Sequence, residues 1–122
     1  MKATSFIVSV LALVGIACNA IATPNVTAEK EVQHLLSFVS RSGCTFVRNG
    51  ANYSASQASE HLASKYDQAK DKLNTSEDFI RYVASTSSMT GKPYLAKCSG
   101  KSEITSSVWL TTELARFRKQ GK

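Results

Sequence analysis

The sequence predicts an α+β, helix-dominated domain: about four helices with a short two-stranded antiparallel ribbon, tied by one disulfide. Three observations lead there. Apolar residues recur at helical spacing in four separate segments, two short β-prone runs lie between them, and an export leader leaves a single pair of cysteines behind it. With 122 residues, 43% of them hydrophobic, the chain fits one small globular domain over 23–122 and has no room for a second core. Gly and Cys are too few for a collagen-like or disulfide-dense class, and no heptad persists to make a coiled coil.

Residues 1–22 read as a signal peptide, with Lys2 as the charged start, an apolar stretch from Phe6 to Ala17, and Ala20 and Ala22 in the two small-residue positions before cleavage. The apolar stretch stops short of the ~20 residues that span a bilayer. A competing reading places Cys18, preceded by Gly15-Ile16-Ala17, as an acylated cysteine, and membrane attachment is expected only in that case. Cleavage after Ala22 removes Cys18 and leaves Cys44 and Cys98 in a periplasmic or secreted, thiol-oxidising setting, where a disulfide between them is the natural outcome. Closing so long a loop contributes about 4 kcal/mol by restricting the unfolded chain.

The elements follow in order. Thr27 is a plausible cap for a first helix, with Glu29 and Glu31 in its first turn and Val32, Leu35, Leu36 and Val39 on one face; Gly43 ends it. Cys44 to Arg48 is a β-prone run that meets the turn dipeptide Asn49-Gly50. Ser54 and Gln57 have capping-box spacing for a second helix reaching about Leu73, along the stripe Ala58, Leu62, Tyr66, Ala69 and Leu73. Asn74 and Thr75 cap a third helix with Phe79, Ile80, Val83 and Ala84 inward, and Gly91-Lys92-Pro93 stops any continuation. Tyr94 to Cys98 is a second short strand, and a last helix runs from about Ser106 to Lys119 with Val108, Trp109, Leu110, Leu114 and Phe117. A Cys44–Cys98 bond sets the two strands side by side, antiparallel, with Phe46, Val47 and Arg48 facing Ala96, Leu95 and Tyr94.

Ser42-Gly43-Cys44-Thr45-Phe46, Arg48-Asn49-Gly50, His61-Leu62, Lys65-Tyr66, Glu77-x-Phe79-Ile80, Gly91-Lys92-Pro93-Tyr94, Cys98 and Trp109-Leu110 together resemble the YfeK-like family of small exported bacterial proteins. The resemblance covers nearly all of 23–122 and implies a Gram-negative periplasmic home. The family's function is unknown, so the resemblance implies no catalytic residue, cofactor or substrate.

The chemistry that the residues do suggest is polar. Gln57, His61 and Lys65 form a column on the second helix at i, i+4 and i+8, and the strand and turn bring Arg48, Asn49, Tyr53 and Tyr94 around it. These make a candidate cationic, aromatic-edged pocket for a carboxylate or phosphate, in which partial burial and Lys65 both disfavour a charged His61. The expected function is a non-catalytic binding or interaction module for an envelope ligand or protein. The alternative is a small hydrolytic enzyme, on an envelope or nucleic-acid substrate, with His61 as general base. His34 is expected to be an exposed helical residue. Two histidines and two oxidised cysteines do not supply the ligands of a zinc site, and Gly91-Lys92-Pro93 is not a phosphate-binding loop, so no metal and no cofactor are expected. Nucleic acid is not an expected partner, because the chain's excess charge, +6, is modest and the bases are dispersed. Only Arg116, Arg118, Lys119 and Lys122 cluster, and they read as a frayed tail or a contact for anionic lipid or an acidic envelope polymer.

Overall fold

The structure, a computed structural model, describes residues 25–121. The stretch read as a signal peptide, with its Cys18, and the last base, Lys122, lie outside those residues. The elements run α1 (Val26–Arg41), β1 (Thr45–Arg48), β2 (Ala51–Tyr53), α2 (Ala55–Ala69), α3 (Ser76–Tyr82), β3 (Leu95–Lys97), β4 (Ile104–Thr105) and α4 (Ser106–Gln120). The helix-dominated α+β class and the Cys44–Cys98 disulfide are as predicted, with the two Cα atoms 4.3 Å apart.

Capping chemistry sets most helix ends. Asn25, not Thr27, caps α1, its side-chain oxygen accepting from the Ala28 amide at 3.2 Å; Asn is the stronger cap, and it starts the helix earlier than expected. Ser54 and Gln57 form the anticipated capping box of α2. That helix tightens into a 3-10 turn, Lys70–Lys72, before Leu73, so the apolar stripe reaches Leu73 although the α-helix stops at Ala69. Thr75 and Asp78 make a second reciprocal box at α3, which ends at Tyr82 and leaves Val83 and Ala84 buried beyond it.

The ribbon sits inside a larger sheet. Phe46 pairs with Ala96 and Val47 with Leu95, which is the predicted register, but β1 also pairs with β2 across the Asn49-Gly50 turn and β3 pairs with β4, giving the antiparallel order β2-β1-β3-β4. Both turn residues have positive φ, 52° at Asn49 and 79° at Gly50, the mirror-image turn that matches strand twist. Nothing lies within 4 Å of a methyl group built on Gly50, so Gly50→Ala is expected to cost only the backbone strain, about 1 kcal/mol in urea unfolding. β4 feeds directly into α4 through Thr105, which is both its last residue and the helix cap.

Leu35, Leu62, Phe79, Leu110 and Tyr94 are fully buried where the helices meet the sheet. Trp109 packs half-buried against this core beside Phe38, whereas Val108 is 53% exposed and does not belong to the inward stripe.

Two expectations about α4 and α1 need correction. His34 is not an exposed bystander: its Nε2 lies 2.6 Å from Glu113 Oε2 and its ring stacks on Phe117 at 3.8 Å. Arg116 and Arg118 are not part of a frayed tail. Arg118 bridges Glu31 at 2.8 Å and Glu77 at 2.7 Å, acids that only folding brings near it, and Arg116 pairs with Glu113 one helical turn before it. Two of the four bases assigned to an acidic envelope polymer are therefore already neutralised inside the fold.

Candidate functional site

One strand end, one hairpin strand and one helix face build the site. Phe46 and Arg48 alternate along β1 and share a side of the sheet; Tyr53 of β2 pairs with Phe46. On α2, Gln57, Glu60 and His61 stand at i, i+3 and i+4, so one helix face turns all three toward that strand pair, with Ala58 buried beneath. Together these residues line a cleft of about 370 Å³. A larger, more open hollow of about 550 Å³ at the disulfide has only Lys97 and Lys101 among small residues, with no histidine or aromatic group.

Arg48 organises the cleft. Its Nη2 donates to Tyr53 Oη at 3.1 Å, its guanidinium carbon lies 4.9 Å from the centre of the Tyr53 ring, and its Nη1 is 3.3 Å from His61 Nε2. A guanidinium can only donate, so that imidazole nitrogen is the acceptor and carries no proton. Tyr94 Oη stands 3.2 Å from the same nitrogen and receives a hydrogen bond from Lys65 Nζ at 3.0 Å; Lys65 also donates to the Thr86 carbonyl. Burial, and then the charges of Arg48 and Lys65, push the His61 pKa below its ordinary value. Geometry and electrostatics agree on a neutral ring.

Of the seven residues the sequence singled out, Arg48, Tyr53, Gln57 and His61 line the cleft. Lys65 and Tyr94 stand behind His61, Tyr94 being only 1% exposed and packed on Phe46 at 5.1 Å between ring centres. Asn49 is elsewhere: its amide donates to Ser87 Oγ at 3.1 Å and its carbonyl accepts from Thr90 Oγ1 at 2.6 Å, pinning the loop before β3 to the hairpin. Glu60 and Phe46 were not anticipated as part of the site. The helical step from Gln57 to Glu60 and His61 was the available signal for Glu60.

Charge balance separates this cluster from the ion pairs of α4. Arg116 and Arg118 each meet a carboxylate, whereas among the described residues Arg48 and Lys65 touch only neutral groups: two tyrosine hydroxyls, a ring nitrogen and a backbone carbonyl. Among those residues no group of three or more His, Cys, Asp or Glu is placed to hold a metal ion, and no helix is long and apolar enough to cross a membrane.

Residues 26–118 match a family of unknown function, DUF5329. The chain belongs to that family. It is also 38% identical over 88 residues to the uncharacterized protein YfeK of Salmonella typhimurium, an alignment covering 70% of this chain and 73% of the relative. No solved structure matches it. The matched span contains the whole cleft and both disulfide cysteines, so every residue of the candidate site lies within the family domain.

Proposed function

We propose that this domain is a non-catalytic binding module of the bacterial envelope whose cleft takes an anionic group, a carboxylate or a phosphate, of an envelope ligand. The observation that carries the reading is the pair of cations flanking His61 with, among the described residues, no carboxylate paired to either one. Arg48 uses two of its five N–H donors on Tyr53 and His61, which leaves others for a planar, two-point contact. An arriving anion offsets the repulsion that keeps His61 neutral, so the ring gains a proton as the ligand binds. The groups facing that ring are Arg48, Lys65, Tyr53 and Tyr94, with Glu60 beside it on α2. The leader read from the sequence and the Cys44–Cys98 bond support an exported setting. Hydrolysis with His61 as base has less support, because the ring nitrogen contacts a guanidinium and a buried hydroxyl, and among the described residues no carboxylate orients it.

Calorimetric titration with sulfate, whose charge is constant across the range, tests this. Binding is expected to be about tenfold tighter near pH 5.5 than near pH 8, with proton uptake, and to vanish in Arg48→Ala. Binding that persists in Arg48→Ala, or no heat with sulfate, phosphate or acetate at millimolar concentration, contradicts the proposal.

A further inference from the structure

The anion reading leaves one lining residue unexplained. Glu60 puts a carboxylate at the same cleft as Arg48, yet among the described residues the two do not pair, and no hydrogen bond or ion pair holds Glu60 at all. Opposite charges that share a small cleft without meeting leave a gap between them. A bare anion satisfies Arg48 and is repelled by Glu60; a ligand with both signs of charge satisfies both groups. The same lining includes the buried, apolar Phe46 and Ala58 and the Tyr53 ring, which suits a ligand with a short hydrocarbon portion joining its two charged ends. The volume, about 370 Å³, is at the small end of ligand pockets and admits a molecule of amino-acid or dipeptide size.

We infer that the cleft selects a small amino-carboxylate, a free amino acid or short peptide, whose carboxylate meets Arg48 and His61 and whose ammonium meets Glu60. The inference rests on the anion-binding reading and adds to it the substrate class and the residue that reads the second charge. Glu60 is exposed, so its carboxylate is accessible to a cationic group without any rearrangement of α2. A charge-assisted hydrogen bond at each end, rather than at one, is what separates such a ligand from a simple acid.

The test uses the chain with its disulfide intact and three probes followed by amide NMR shifts: alanyl-alanine, N-acetyl-alanyl-alanine and alanyl-alanine amide. Alanyl-alanine is expected to bind about tenfold more tightly than either singly charged derivative, with the largest shifts at Arg48, Glu60 and His61. In Glu60→Gln, the ratio between alanyl-alanine and its N-acetyl derivative is expected to fall to about one. Equal affinities of those two compounds for the unaltered protein overturn the role of Glu60 and leave anion binding standing. No shift with any of the three overturns the amino-carboxylate inference and leaves anion binding to the sulfate titration; an amide that binds as tightly as the free dipeptide overturns both.

Discussion

Replacing Cys44 and Cys98 together by alanine is expected to cost about 4 kcal/mol of stability and to lower the melting temperature by on the order of 20 °C. The two cysteines are 54 residues apart in sequence, so the unfolded chain freed of the bond gains the entropy of a long open loop. The bond also sits where that loss is felt most. Cys44 directly precedes β1 and Cys98 directly follows β3, and the first ladder pair beyond them is Thr45 with Lys97. The central strand pair therefore closes outward from the disulfide, and Arg48 and Tyr94 stand one residue beyond the Val47–Leu95 pair at its far end. Circular dichroism melts of the double variant, and of the parent with and without reductant, check this; an unchanged melting temperature contradicts the assigned role of the bond.

Arg118→Ala is the second large effect, at about 2 kcal/mol near neutral pH. Glu31 is 7% exposed, and its carboxylate is held by Ser76 and by two contacts from Arg118; the same guanidinium reaches Glu77. Removing it strands a negative charge between α1, α3 and α4. The pH dependence distinguishes this from lost packing. In the parent, the hydrogen bond from Arg118 holds the Glu31 pKa below its ordinary value, so the pair contributes full stability above about pH 4.5 and loses it as pH falls through the depressed value. In the variant, burial dominates and raises the Glu31 pKa, so acid neutralises a stranded charge instead of breaking a pair. The difference between the two proteins is expected to shrink as pH approaches 4, and adding Glu31→Gln is expected to recover part of the loss. Urea unfolding of the single and double variants at two pH values gives both quantities; a pH-independent deficit contradicts the electrostatic account.

How much of this was legible follows from which interactions are local. The Ser54–Gln57 box, the α2 stripe and the Asn49-Gly50 turn are written within a few residues of sequence, and they appear where the spacing puts them. The pairing of Phe46 with Ala96 is non-local but was legible because the cysteines pin its register. β4 was not: two residues are too short to show alternation, and Ile104 is a strand residue only through its partner Ala96. His34 and Arg118 were misread for the same reason, since their partners Glu113 and Glu31 lie 79 and 87 residues away. At the site, register and helix face together place Arg48, Tyr53, His61 and Tyr94 in one cluster. Asn49 leaves it because its positive φ, within the tight turn, is accompanied by side-chain bonds to Ser87 and Thr90. Glu60 was passed over because an exposed acid on a helix ordinarily belongs to the solvated face.

The central claim is that Arg48 and Lys65 form an uncompensated positive field around a neutral, partly buried His61, and an NMR titration of the His61 ring measures that field directly. The account predicts a pKa below 6.5 in the free protein, a rise when sulfate or acetate is added, and a rise in Arg48→Ala with no anion present. The same depression makes the fold lose stability as pH drops below 6.5, since the unfolded chain then binds a proton that the folded ring resists. A free-protein value at or above 6.5, unmoved by anions, contradicts it.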